Sequence, residues 1–573
     1  MVDKIKKAFI KLVKKLKNSV ERFPETIIIT VVFVVMAIYT NHSTNEAIEN
    51  ILMALILGMP ISATIVLLVE RYGWKLNWRF LLDAILVIGL LLFYLMIPET
   101  LGQKFMVRYA SAIVVFCLLF TLVPYYFRRR TYAIYCIKLL TSFLVTYLYT
   151  FVLFAGISAM IFTVDQLFNL ELNGEIYADL LIITTGFFGV TYFLGSIPFV
   201  RSEMTLEDYP KVFKVLFVSI VMPLLTAYTV ILYAYFIKIL FNRSWPDGLV
   251  GNLVLWYGWI AIIILFCIFD FGEKKTWTGF FKRIFPIAFI VPLGMLISTI
   301  WIRTNNYGLT VLRYYVWMAA LWFLIVVIYL IINKRLYSTF VIVSLIVFIL
   351  ISAFGPMNGF EMSIRSQNNR LEKLLIKNDM LANGQIVKDA SLPEDEKEKI
   401  NSILNYMNNI EAINRVKYVP EDFELKDTKA IFGFPYLFVD GWEQEHYNYY
   451  FDNFNTIVDT SKYEYIINFF ISEGQMPYEI NNDSLSIQFT EEKMLSISYK
   501  NEIILKENLG EVIFSLHEKL QNKTVSSQDE LSYTFKTEKA TIVLELNNLY
   551  GSIVDNNEAQ IDSIQGKIWV DIH

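Results

Sequence analysis

The chain is 573 residues long, 55% hydrophobic and 16% aromatic, with a mean hydropathy of +0.47. That composition excludes a string of soluble domains and marks an integral membrane protein. The net charge of -4 is unevenly spread, with lysines crowding the N-terminus and acidic residues gathering after Phe360, and neither pole points to a nucleic-acid partner.

Residues 4–20 place Ile5, Phe9, Leu12, Val13, Leu16 and Val20 on one helical stripe, with lysines around the rest. This predicts a basic amphipathic helix over residues 1–22, either lying on an anionic cytoplasmic leaflet or flagging the cytoplasmic side. Its charged section is too long for a cleavable signal peptide, and no small-residue cleavage site follows 27–39.

Hydrophobic segments follow at 25–40, 48–69, 80–97, 106–127, 137–163, 179–200, 212–240, 249–270, 286–302, 313–332 and 337–354. Crossing a hydrocarbon layer of roughly 30 Å takes about 20 apolar residues, so the expectation is an α-helical bundle of about eleven transmembrane helices over residues 23–355. Every second connection is basic, carrying in turn Arg71, Lys75 and Arg79; Arg128 to Arg130; Arg201, Lys211 and Lys214; Lys274, Lys275, Lys282 and Arg283; and Lys334 with Arg335. The loops between them have few cations or none. The positive-inside rule then places the N-terminus in the cytoplasm, and an odd count of crossings puts the C-terminus outside a bacterial plasma membrane.

The apolar block stops at Ala353-Phe-Gly-Pro356, and residues 356–573 read as an extracytoplasmic α+β domain. A helix is expected over 366–377, a turn at Asn383-Gly384, and a capping box at Ser391-Leu-Pro-Glu394 leading into a helix through Ile410. Ala430 to Tyr450 is aromatic with an Asp440-Gly441 turn. Beyond Tyr463 the period shortens: Leu485, Ile487 and Phe489, then Leu495, Ile497 and Tyr499, alternate with polar residues, and a helix carrying Leu509, Val512, Ile513, Leu516 and Leu520 precedes strands at 531–536, 540–546 and 564–572. The pattern is an antiparallel sheet packed on helices.

Chemistry-bearing constellations are few. The cysteines Cys117, Cys136 and Cys267 sit in apolar stretches, giving neither a disulfide framework nor metal-ligand spacing, and a cysteine-free polar third fits a Gram-positive envelope. Ionisable residues in the apolar block, among them Asp83, Lys138, Asp165, Lys214, Lys238 and Asp270, lie near helix ends, where snorkelling or an opposite charge can satisfy them. Thr185, Gly186, Gly189, Gly195, Ser196 and Pro198 make one segment rich in small residues, read as close helix packing. No HExxH, Walker A or GxSxG pattern is present, so the sequence assigns no catalytic residue, metal or cofactor.

Two clusters remain as candidate ligand sites. Arg303, Tyr307 and Arg313 interrupt the apolar block between 287–302 and 316–332, on the side normally poor in cations, where they can meet lipid phosphate, another anion or carboxylates of the following domain. Glu443, Glu445 and His446, among aromatics, could line a pocket, the alternative being a surface loop. The expected partners are the bilayer and an anionic lipid or envelope protein.

The run Tyr233-Ala-Tyr-Phe-Ile-Lys238-Ile-Leu, the loop Trp245-Pro-Asp-Gly248, Tyr307-Gly-Leu-Thr310 with Arg313-Tyr314, and Ser363-Ile-Arg365-Ser-Gln367 with Arg370-Leu371 together resemble a bacterial membrane family, domain of unknown function 4153. The resemblance spans roughly residues 20 to 390. It implies a polytopic bacterial membrane protein and lends no catalytic residues. The functional expectation is a non-enzymatic envelope protein that couples a membrane bundle to an external binding domain. Its alternatives are a transporter or channel for a lipid-like or small anionic solute, and an enzyme acting on a lipid-linked substrate at the outer interface.

Overall fold

The computed structural model describes residues 2–43, 46–125, 131–170, 172–200, 204–242, 249–268, 276–332, 338–389, 391–436, 445–450, 460, 462–472, 478–482, 484–490, 494–500, 502–520, 527–554 and 558–573. The cationic loops holding Arg128 to Arg130, Arg201, Lys274, Lys275, Lys334 and Arg335 lie outside the described residues, as do Asp270, Trp245 to Gly248, Asp440-Gly441 and Glu443. The chain divides into two compact units. The first comprises Met1–Lys373 with Ile410–Lys417, and the second Leu374–Asn409 with Tyr418–His573.

The first unit is helical: α1 (Val2–Arg22), α2 (Pro24–His42), α3 (Glu46–Tyr72), α4 (Leu76–Leu95), α5 (Gln103–Leu122), α6 (Tyr132–Phe168), α7 (Glu175–Ile182), α8 (Val190–Leu194), α9 (Lys211–Val215), α10 (Met222–Asn242), α11 (Leu249–Cys267), α12 (Trp277–Ala288), α13 (Ile290–Tyr307), α14 (Val311–Ile332), α15 (Ser338–Phe354) and α16 (Gly359–Lys377). Each expected hydrophobic segment falls mainly on helix where it is described, and among the described residues nine spans are long and apolar enough to cross a membrane, or ten if the pair α15 and α16, bent by 52°, counts as one. The difference from about eleven lies in two short elements. In α11 the apolar stretch Gly251–Cys267 falls below span length, and α15 has 17 residues.

Wide π-helical turns, Ile183–Gly189 and Leu216–Val221, join α7 to α8 and α9 to α10. The small-residue segment serves close approach: a Cβ on Gly186 would stand 2.8 Å from Val34 of α2, and Gly195 lies directly against the Lys15 backbone of α1. Helix α1 is fixed there further by Lys15 Nζ, which donates to Ser196 Oγ at 3.0 Å. The core centres on Tyr257, Phe285, Phe289, Trp322 and Phe323.

In the second unit, β1 (Leu381–Ala382) and β2 (Gln385–Ile386) flank the expected turn, where Asn383 and Gly384 have φ of 51° and 77°. The expected capping box is not made: Ser391 Oγ donates to Asp389 at 2.6 Å, within its own loop, and α17 (Glu394–Asn409) starts three residues later. A short α18 (Thr428–Phe432) precedes the sheets.

One sheet runs β3 (Glu445–Tyr450), β10 (Ala540–Val554), β11 (Glu558–Ile572) and β4 (Tyr465–Ser472), with β9 (Ser532–Lys536) also on β10. The other is a meander of β5 (Tyr478–Asn481), β6 (Leu485–Phe489), β7 (Met494–Tyr499) and β8 (Glu502–Asn508). All pairings are antiparallel. The inward residues of β6 and β7, with Leu509, Ile513 and Leu516 of α19 (Leu509–Leu520), join Ile542, Leu544 and Ile568 in one core, so the expected α+β architecture with an antiparallel sheet is present.

Candidate functional site

Helix α13 ends at Gly308, whose φ of +74° favours glycine, and α14 begins at Val311. The Thr310 carbonyl accepts the first bond of α14, from Tyr314 N at 2.9 Å, whereas the carbonyls of Tyr307 and Leu309 take side-chain donors from α16. Gln367 Nε2 donates to the carbonyls of Tyr307 and Leu309, each at 3.2 Å, while Leu309 N donates to Ser366 Oγ at 2.9 Å. Gln367 is buried, and a Cβ on Gly308 would lie 2.8 Å from its Nε2.

Arginines converge on the same loop. Arg370 Nη1 donates to the Tyr307 carbonyl at 3.2 Å, and Arg313 Nη1 donates to Gly308 O at 2.8 Å with a longer 3.4 Å contact to Tyr307 O. The Arg313 guanidinium also stands over the Tyr307 ring, 5.5 Å from its centroid. Arg303 and Arg365 are exposed. Two guanidinium groups on one carbonyl oxygen make a donor-rich, cationic rim suited to an oxyanion with several acceptor oxygens. Arg313, expected to meet an anion or a carboxylate, thus also serves its own loop, because a guanidinium can cap the orphan carbonyls of a helix end.

A second fastening lies at the start of α16. Tyr314 donates from its hydroxyl to the Met357 carbonyl, and Gly359 leaves room for the Tyr314 ring. Glu361 is held by Arg415 through two bonds of 3.0 and 2.6 Å and by Lys104 of α5 at 3.0 Å. Arg415 in particular, with Lys104, holds the Glu361 carboxyl at about 2, well below its ordinary value. Asn368 brackets the returning segment, donating to Arg415 O at 2.9 Å and accepting from Lys417 N at 2.8 Å. Glu411 on that segment sits against Gly102, which precedes α5. All of these residues belong to the first unit.

Of the sequence-predicted site residues, Arg303, Tyr307 and Arg313 thus share the end of α13 and the start of α14. Glu445 and His446 fall on β3, their backbones paired with Ile553 and Ser552 of β10. Sequence reasoning does not place Gln367, Arg370 and Ser366 at the site, although the motif that carries the family resemblance contains them. Their signal is a polar run on a helix directly after the last apolar segment.

Elsewhere, His42 ties α2 to α7, with Nδ1 2.8 Å from Glu175 and Nε2 2.8 Å from Asp179. Lys138 meets Asp208 at 2.9 Å, and Asp165 accepts from Leu172 N at 3.0 Å, in line with the expectation for helix-end charges. Asp83 departs from that expectation, since neither carboxylate oxygen has a hydrogen-bond partner among the described residues. No group of three His, Cys, Asp or Glu is arranged for a metal ion among the described residues.

Residues 26–396, most of the helical unit and all of helices α13 to α16, match the family described as domain of unknown function DUF4153. The chain belongs to that family. A relative, an uncharacterised protein of Pasteurella multocida (strain Pm70), is 30% identical over 152 residues. The match spans about a quarter of each chain, 26% in both cases. No solved structure matches. Membership in DUF4153 agrees with the resemblance read from the sequence motifs and assigns no activity to the clamp.

Proposed function

We propose that this protein is a non-enzymatic component of the bacterial envelope, in which a plasma-membrane bundle carries an external unit that binds a ligand or protein partner. The N-terminus is cytoplasmic and the second unit lies outside, on the reading of the alternating loop charges. The observation that supports coupling is the fastening of α16. Ser366, Gln367 and Arg370 grip the loop before α14, while Glu361 is gripped by Lys104 and Arg415. A helix that emerges from the last apolar segment and is tied this way transmits displacement to α13, α14 and α5 rather than absorbing it. Packed elements with discrete hydrogen-bond patterns are the physical means of such coupling.

The test is complementation of a deletion strain. The full chain restores the strain's phenotype, whereas a truncation after Lys417, which keeps the clamp, does not; full rescue by the truncation overturns the coupling reading. Orientation is read separately with Glu538→Cys, an exposed position on the turn before β10. A membrane-impermeant maleimide labels it in intact cells, and labelling only after permeabilisation overturns the outward placement.

A second reading is a carrier for a lipid-like or small anionic solute. It is favoured by a groove of about 550 Å³ between α11, α14 and α15, lined by Trp256, Trp259, Leu312, Tyr315, Trp322 and Ser352. The groove reaches the first turn of α14, the turn that also carries Arg313. Protein reconstituted in vesicles that moves neither fluorescent phospholipid nor small organic anions excludes this reading.

A further inference from the structure

Helix α4 turns one face to the bundle and leaves the other exposed. Arg79, Asp83, Leu86 and Leu90 succeed one another at helical spacing, and this is the inward stripe. Leu86 is buried, and Leu90 packs so tightly on α3 that a Cβ on Gly58 would stand 2.8 Å from its Cδ1. The other face, with Leu81, Ile85, Ile88 and Leu92, is exposed. Asp83 therefore points into the bundle, seven residues or about 10 Å beyond the start of the helix.

The groups around it are specific. Arg79 pairs with Glu25 in the first turn of α2 and donates to the Arg22 carbonyl at 3.3 Å. Arg22 in turn pairs with Glu70 of α3 at 2.8 Å, and the other Glu70 oxygen accepts from Val200 N at 3.1 Å. Arg71 donates to the Val123 carbonyl and stands over the Tyr72 ring, and Lys75 is exposed. Among the described residues no donor reaches either Asp83 oxygen, and Arg79 Nε, one turn away, is likewise buried and without an acceptor. Of the two carboxylates beside Arg79, Glu25 holds it and Asp83 does not.

We propose that Asp83 is a proton-binding site, and that its carboxyl competes with Glu25 for Arg79. A carboxylate shielded from water and given no donor is costly in a membrane, whereas the protonated acid is neutral. Loss of that proton creates a charge one helical turn from Arg79, at the spacing where opposite charges on a helix meet. Arg79 then swings its unused Nε toward Asp83 and loosens its hold on Glu25. The tie between α2 and α4 depends in this way on whether the proton is bound. This inference stands independently of the coupling assigned to α16.

The experiment uses the purified full-length protein and dicyclohexylcarbodiimide, an apolar reagent that takes up carboxylic acids buried in apolar surroundings. The acid O–H adds across a carbodiimide C=N bond, the oxygen to carbon and the proton to nitrogen, and the adduct rearranges to a stable N-acylurea with nothing lost. Peptide mass spectrometry is expected to find the adduct on Asp83 and to find several-fold less of it as the pH is raised and the acid ionises. A water-soluble cationic carbodiimide leaves Asp83 unmodified. Asp83→Asn abolishes the adduct while keeping the unfolding midpoint at or above that of the parent, and Asp83→Glu retains it. Glu25→Gln releases Arg79 and lowers Asp83 labelling several-fold at the same pH. The absence of an Asp83 adduct at any pH, or labelling that does not change with pH, overturns the proton site. Unchanged labelling in Glu25→Gln overturns the competition for Arg79.

Discussion

Replacing Glu361 by glutamine tests the fastening of α16 directly. The change is nearly isosteric, but it leaves Lys104 and Arg415 facing a neutral amide and each other. Lowering a carboxyl from 4.5 to about 2 corresponds to ~3 kcal/mol if all of it reaches the folded state. The Glu361 side chain is 21% exposed and its partners 38% and 44%, so solvent screening reduces the effect to about 1–2 kcal/mol. For a unit of this size that is a fall of about 2–5 °C in unfolding midpoint, read by intrinsic fluorescence in detergent. The pH dependence carries the sign. Because the folded value is depressed, the stabilisation is complete above about pH 4.5 and is lost as pH falls toward 2, so parent and variant converge in acid. Equal midpoints at pH 7, or a gap that widens on acidification, would refute the ion-pair account.

Three further outcomes rest on the same kind of reasoning. Gly308→Ala places a Cβ against Gln367 Nε2 at a positive φ, and is expected to cost about 1–2 kcal/mol, visible as faster proteolysis of the α13–α14 loop; unchanged cleavage counts against the strain. Leu544→Ala removes a fully buried side chain from the second unit's core and should cost about 2–5 kcal/mol in denaturant unfolding, with less than about 1 kcal/mol contradicting the packing described. Glu396 is held at about 2, mainly by Lys377 with help from Lys399 and Asn378. Glu396→Gln should therefore destabilise the protein at neutral pH and converge with the parent as pH drops below about 4.5 toward 2, measured by thermal scans at several pH values.

The apolar helices are legible in the sequence because a membrane demands long runs of one residue class, and that demand is local. Strands β6 and β7 are legible for a similar reason, since each alternates with one face buried. By contrast β4, Tyr465–Ser472, mixes Ile-Ile and Phe-Phe pairs that hide its period, and β10 runs on to Val554 through irregularities near Asn548 and Gly551 where the alternation slips. At the site, Arg303, Tyr307 and Arg313 stand out as polar residues in an apolar block. Their surroundings do not. The groups Arg313 and Arg370 address are main-chain carbonyls, which every residue possesses, and Gln367 lies 60 positions from Tyr307. Asp83 stands out in sequence too but reads as satisfied, because Arg79 lies one turn away; the guanidinium is in fact engaged with Glu25.

The first unit is assembled from two separate stretches, Met1–Lys373 and Ile410–Lys417, and the later one delivers Arg415 to Glu361 and the Lys417 amide to Asn368. During synthesis the bundle can insert all of its apolar helices and still lack the pieces that close its clamp. The polar stretch between Lys373 and Ile410 must first be made and, on the outward reading, carried across the membrane. Completion of the anchor is thus a late event, and on the outward reading it would report on export of the downstream chain. A chain stalled between Lys373 and Ile410 would leave Glu361 with Lys104 alone, a partly tied and less stable anchor that quality-control proteases could distinguish from the finished protein.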